Sequence, residues 1–149
     1  MNLPVRMFVA TTGLLTASLT FAGQERSPAY KYEGGARVYA ELGKAPEKAR
    51  AKRNPMENDP ESIAAGRNLF QQHCSECHGN SGEGSRKAPS LRVDEVQRAA
   101  PGAIFWILTN GVVRRGMPVW SKLPEPQRWQ LVSFIKALGS ESAQSRDRK

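Results

Sequence analysis

Residues 74–78 read Cys74-Ser75-Glu76-Cys77-His78, and this pentapeptide constrains the chain more than any other feature. C-x-x-C-H is the sequence signature of covalent haem attachment. The chemistry sets the spacing. Two thiols must reach two vinyl groups on neighbouring edges of one porphyrin, and the next residue must bring an imidazole nitrogen to the iron. Two intervening residues span the vinyl separation in a tight turn, and His78 follows as the proximal ligand. The same residues have other uses: a structural disulfide in an exported chain, a redox dithiol, or a zinc site. A redox dithiol normally sits in a βαβ pattern, and no strand pattern precedes Cys74. Structural zinc takes four Cys or His ligands, whereas the chain has two of each, and His73, adjacent to Cys74, points elsewhere. The expected cofactor is one covalently attached haem c with its iron.

Export agrees with that expectation, because c-type haem is attached outside the cytoplasmic membrane. Residues 1–22 read as a signal peptide: Arg6 gives the positive start, Met7–Ala22 is mostly apolar, and Thr20-Phe21-Ala22 places small residues for cleavage before Gly23. The alternative is an uncleaved anchor, but the apolar run is 16 residues long, short of the ~20 that span a bilayer. No later segment is apolar enough to cross a membrane. The expected location is therefore periplasmic, or membrane-tethered if the signal stays. The formal charge is +8, and loss of Arg6 with the signal leaves +7. Such an excess points to acidic protein surfaces or anionic lipid as partners. Nucleic acid is not expected, because the cations are dispersed and lack an interleaved aromatic platform.

The mature chain divides into a polar, basic extension at 23–58, a compact domain at 59–139 and a charged, disordered tail at 140–149. Tyr30, Tyr32, Val38, Tyr39 and Leu42 are the few anchors of the extension, with short helices expected near 38–42 and 47–53. It is either a disordered leader or a strap over the domain. In the domain, Asp59 or Ser62 caps a helix with Pro60 in its first turn, and Ile63, Gly66, Leu69, Phe70 and His73 recur at helical spacing. Gly66 costs helix stability, about 1 kcal/mol against Ala, which a buried helix tolerates where another helix approaches closely. A second helix runs from Pro101 to about Thr109, ended by Asn110-Gly111. The last spans about 126–138, with Leu131, Phe134, Ile135 and Leu138 on one stripe and Gly139 placed to stop it. A helical turn near Asp94–Ala99 completes an all-α domain.

A second axial ligand follows by elimination. Met1 and Met7 leave with the signal, Met56 precedes the first domain helix, and His73 is sterically excluded beside Cys74. Met117, in Gly116-Met117-Pro118, lies on a loop that can return to the opposite haem face. The alternative is a core gap-filler. His/Met ligation raises the reduction potential and leaves no open position on the iron.

Cys74-Ser75-Glu76-Cys77-His78-Gly79, Ala88-Pro89-Ser90-Leu91, Asn110-Gly111 and Gly116-Met117-Pro118 together resemble class I (monohaem) c-type cytochromes. The chain is similar to the small cytochrome c domains of bacterial oxidases and periplasmic dehydrogenases. The resemblance runs from Gly66 to Leu138, and Asn54-Pro55 with Asp59-Pro60-Glu61 look like the approach segment of some bacterial members. It implies thioethers on Cys74 and Cys77, axial roles for His78 and Met117, and a Pro89 carbonyl that accepts a hydrogen bond from the proximal imidazole. It also implies that crossed N- and C-terminal helices pack through Gly66, Phe70 and Phe134. Pro124 departs from the pattern, since related sequences often place a Ser or Thr cap there.

The expected function is that of an electron-transfer protein and not an enzyme, with no catalytic residues. As a one-electron carrier it would take electrons from a dehydrogenase or membrane complex and pass them to an oxidase or reductase. Alternatives are a haem subunit of a dehydrogenase or oxidase complex, or a ligand-binding sensor or peroxidase, which requires a weak Met117 bond.

Overall fold

The computed structural model describes residues 35–146, with their side chains from 39 to 140. The segment expected to be a signal peptide, the start of the extension and residues 147–149 lie outside the described residues. Within them the chain is all-α. Its helices are α1 (Gly35–Gly43), α2 (Glu47–Arg50), α3 (Pro60–His73), α4 (Ser75–His78), α5 (Asp94–Gln97), α6 (Pro101–Asn110) and α7 (Glu125–Arg146). A 3-10 turn covers Val113–Arg115, and the only extended pairing among the described residues is the isolated bridge between Val112 and Met117.

Local chemistry explains where α3 begins. The Asp59 carboxylate accepts hydrogen bonds from the Glu61 and Ser62 amides, both at 3.2 Å, and from the Ser62 hydroxyl at 2.6 Å. The Ser62 hydroxyl is the largest reason that this carboxyl lies below its usual range. Pro60 takes the first helical position, where no backbone N–H is needed.

α3 and α7 form the central crossing. A Cβ on Gly66 would lie 2.0 Å from the Gln130 carbonyl oxygen, so the helices touch backbone to backbone there. One turn further on, the Phe70 and Phe134 rings meet at 5.1 Å, tilted by 56°. α6 supports α7 through Phe105, which stacks on Trp129 at 4.1 Å. Gly66→Ala is expected to cost about 3 kcal/mol by forcing the crossing apart, which for a domain this small lowers the melting temperature by roughly 12–24 °C. Calorimetry checks this, and melting within a few degrees of the parent would contradict so close a crossing.

Two local expectations give way to tertiary contacts. α7 does not stop at Gly139 but continues to Arg146, through residues where the sequence predicted a disordered tail. Gly139 serves packing instead: a Cβ there would lie 2.5 Å from Gln97 Oε1. The Gln97 amide in turn donates to the Ile135 carbonyl at 3.0 Å and the Leu91 carbonyl at 2.7 Å. At the other end, Pro124 needs no capping side chain to enter the helix. Its carbonyl accepts the Arg128 amide at 3.2 Å and so begins the ladder of α7.

The extension is helical in α1 and α2, close to where short helices were expected, and is joined to the domain. Asn54, 6% exposed, donates to the Ser133 hydroxyl at 2.8 Å, and that hydroxyl donates to the Met56 carbonyl at 2.9 Å.

Candidate functional site

Cys74 ends α3, and the chain turns at once into the single turn of α4. The Cys77 and His78 amides both bond the Cys74 carbonyl, at 3.1 and 2.9 Å. Spacing of three residues in a helical turn brings Cys74 and Cys77 to the same side. Gly79, with φ of 80°, ends the turn in a conformation that L side chains rarely adopt. The loop that follows folds back on itself: the Gly84 amide bonds the His78 carbonyl at 2.7 Å, and the Leu91 amide bonds the Gly82 carbonyl at 2.7 Å. That fold brings the Pro89 carbonyl to 2.9 Å from His78 Nδ1.

A carbonyl can only accept, so Nδ1 carries a proton, and in the neutral ring Nε2 keeps its lone pair. Burial pushes the His78 pKa down, and the Pro89 bond opposes this less strongly. Neutral imidazole is the form that binds a metal. Burial, and then the neighbouring Cys77, push the Cys74 thiol up to about 11.

Met117 comes from the segment after α6. α6 ends at Gly111, and the chain doubles back so that Val112 and Met117 exchange backbone hydrogen bonds of 3.0 and 3.3 Å. The Trp120 amide then bonds the Leu108 carbonyl at 3.0 Å, tying this loop to α6.

Cys74, Cys77, His78, Pro89 and Met117 all line one cavity of about 440 Å³. Phe70, Leu91, Val96, Ile107, Leu108 and Ile135 give it an apolar wall. Of the two methionines among the described residues, Met56 packs against the core and does not line this cavity. His73 does line it, with its ring 5.3 Å from that of Trp120. Ile107 and Leu108 are the cavity face of α6, while Trp106 is outside it. Among the described residues no group of three or more His, Cys, Asp or Glu is arranged to hold a metal ion. Two thiols one turn apart, an imidazole whose burial favours the neutral form and a thioether around an apolar cavity do fit haem c.

Tyr39, Glu41 and Leu42 of α1 also line the cavity, and these were not expected as site residues. The signal was faint: an aromatic and an aliphatic residue three apart in an otherwise polar stretch. Glu41 forms an ion pair with Lys44 at 2.7 Å, which is the main reason its carboxyl is lowered; Arg114 and Arg115 add to the effect from the Met117 side.

A small all-α domain with this turn and this donor set defines a c-type cytochrome domain. Residues 61–135, just over half of the chain, match the family model described as cytochrome c oxidase, cbb3-type, subunit III, and the chain belongs to that family. With membership come covalently bound haem c, its iron, haem-based electron transfer and redox partners. No curated protein matches the chain. No described helix is long and apolar enough to cross a membrane.

Proposed function

We propose that this protein is an exported one-electron carrier in which Cys74 and Cys77 would hold the haem by thioethers and His78 and Met117 would bind its iron. The bound group supplies one reversible electron. The observation that carries the reading is the convergence of Cys74, Cys77, His78 and Met117 on one apolar cavity. His78 is oriented by its Nδ1–H bond to Pro89, which also makes it a stronger base. The apolar wall excludes water and so disfavours the extra charge of ferric iron. The ligand loop is constrained by its backbone bonds to Val112 and Leu108, so little has to move when the charge changes.

Residues 113–122 offer a docking face. Val113 is 68% exposed and Val119 47% exposed, and Arg114, Arg115 and Lys122 lie in the same exposed stretch. Exposed apolar and cationic side chains in one stretch suit an acidic redox partner, which charge steers before contact. Arg114→Glu is expected to slow reduction by an acidic partner on the order of tenfold at low salt, and rising salt should erase the difference. Stopped-flow rates that ignore both salt and the substitution would contradict this docking face.

The family description itself favours a second reading, a haem subunit of an oxidase complex. Size-exclusion of native extract separates the two: a carrier elutes alone, and a subunit elutes with its enzyme.

A further inference from the structure

Part of the cavity wall comes from outside the family domain. The family match begins at residue 61, yet Tyr39 and Leu42 line the same cavity as His78 and Met117. The segment is built in rather than laid on. α2 crosses α6 at Gly102, where a Cβ would lie 2.0 Å from the Ala49 carbonyl oxygen. Only a residue with no side chain leaves room for that backbone. Ala45, between α1 and α2, is 2% exposed. At the cavity, Tyr39 Oη donates to the Ser90 carbonyl at 3.0 Å. Burial, with Glu95 second, raises the Tyr39 phenol above its ordinary value, so it stays a donor throughout the physiological range. Ser90 is the next residue after Pro89, whose carbonyl accepts from His78 Nδ1.

We infer that the segment preceding the family domain is a fixed wall of the haem cavity, in which Tyr39 is a positioning residue for His78 and Leu42 excludes water. The inference rests on the reading of His78 as an axial ligand. Tyr39 restrains the peptide beside the one that orients the imidazole. A firm Nδ1–H bond makes the imidazole more basic, which favours ferric iron. Leu42 acts in the other direction, since a dry wall favours ferrous iron.

The two residues therefore predict shifts of opposite sign in the purified holoprotein. Tyr39→Phe keeps the ring and removes the donor. It should raise the reduction potential and speed solvent exchange of the His78 Nδ1 proton several-fold by NMR. Leu42→Ala keeps the donor and opens the wall, and it should lower the potential. A merely structural role would lower the melting temperature of both variants and leave potential and exchange unchanged. That result, in a protein whose parent shows a covalent haem mass and a ferric sulfur-to-iron band, overturns the inference and leaves the carrier reading intact. A parent lacking those two signatures overturns both.

Discussion

Met117→Ala is expected to abolish the far-red sulfur-to-iron charge-transfer band of the ferric holoprotein and to lower its reduction potential. The drop should be a substantial fraction of the roughly 0.8 V over which axial ligands set haem potentials. A thioether stabilises ferrous iron, so its loss favours the ferric state. The variant should also bind carbon monoxide rapidly when reduced, because an axial position is no longer filled by protein. The parent should bind it slowly. Met56 is not placed to replace it, since it is bound into the core on the side of α7 through its backbone contacts with Asn54 and Ser133. A band that survives the substitution, or rapid carbon monoxide binding by the parent, would remove Met117 from the iron and revive the sensor reading.

The second large effect concerns folding. A Cys74→Ala/Cys77→Ala variant made without haem is expected to lose native helicity and cooperative melting. The cavity walls include Phe70, Leu108 and Ile135, which also belong to the buried core of the domain. Without a group between them they would surround about 440 Å³. At ~24 cal/mol per Å³ that is about 10 kcal/mol, comparable with the whole stability of an ordinary domain, ~5–15 kcal/mol. Even with half of this recovered by collapse and by water, so small a core has little to spare. Circular dichroism with thermal melting tests it. Native helicity with a sharp transition in the variant would show that the polypeptide folds by itself.

The parts legible in the sequence are those specified locally. Asp59 and Pro60 announce the start of α3 because capping needs only the next three residues. The C-x-x-C-H turn carries three of the four expected haem contacts in five consecutive residues. Met117 was singled out by elimination among the methionines, and it does line the cavity with Cys74, Cys77 and His78. Gly66 was readable as a close approach because a glycine inside an amphipathic helix is costly without one.

The parts that were not legible depend on distant partners. Gly139 looks like a helix stop, but its missing side chain makes room for Gln97, which no local rule reveals. Tyr39 finds its acceptor at Ser90, far along the chain, and nothing in the spacing of either residue points to the other. Gly102 sits at the start of α6, where a glycine passes for ordinary helix entry, yet it admits the backbone of α2.

The most direct test of the account is mass spectrometry of the mature protein from a host able to form thioether bonds, followed by digestion. The account predicts the mass of the polypeptide plus one haem, with the added mass retained under denaturing conditions on the peptide that holds Cys74 and Cys77. A mature chain at its bare polypeptide mass, with both thiols open to alkylation, would contradict it.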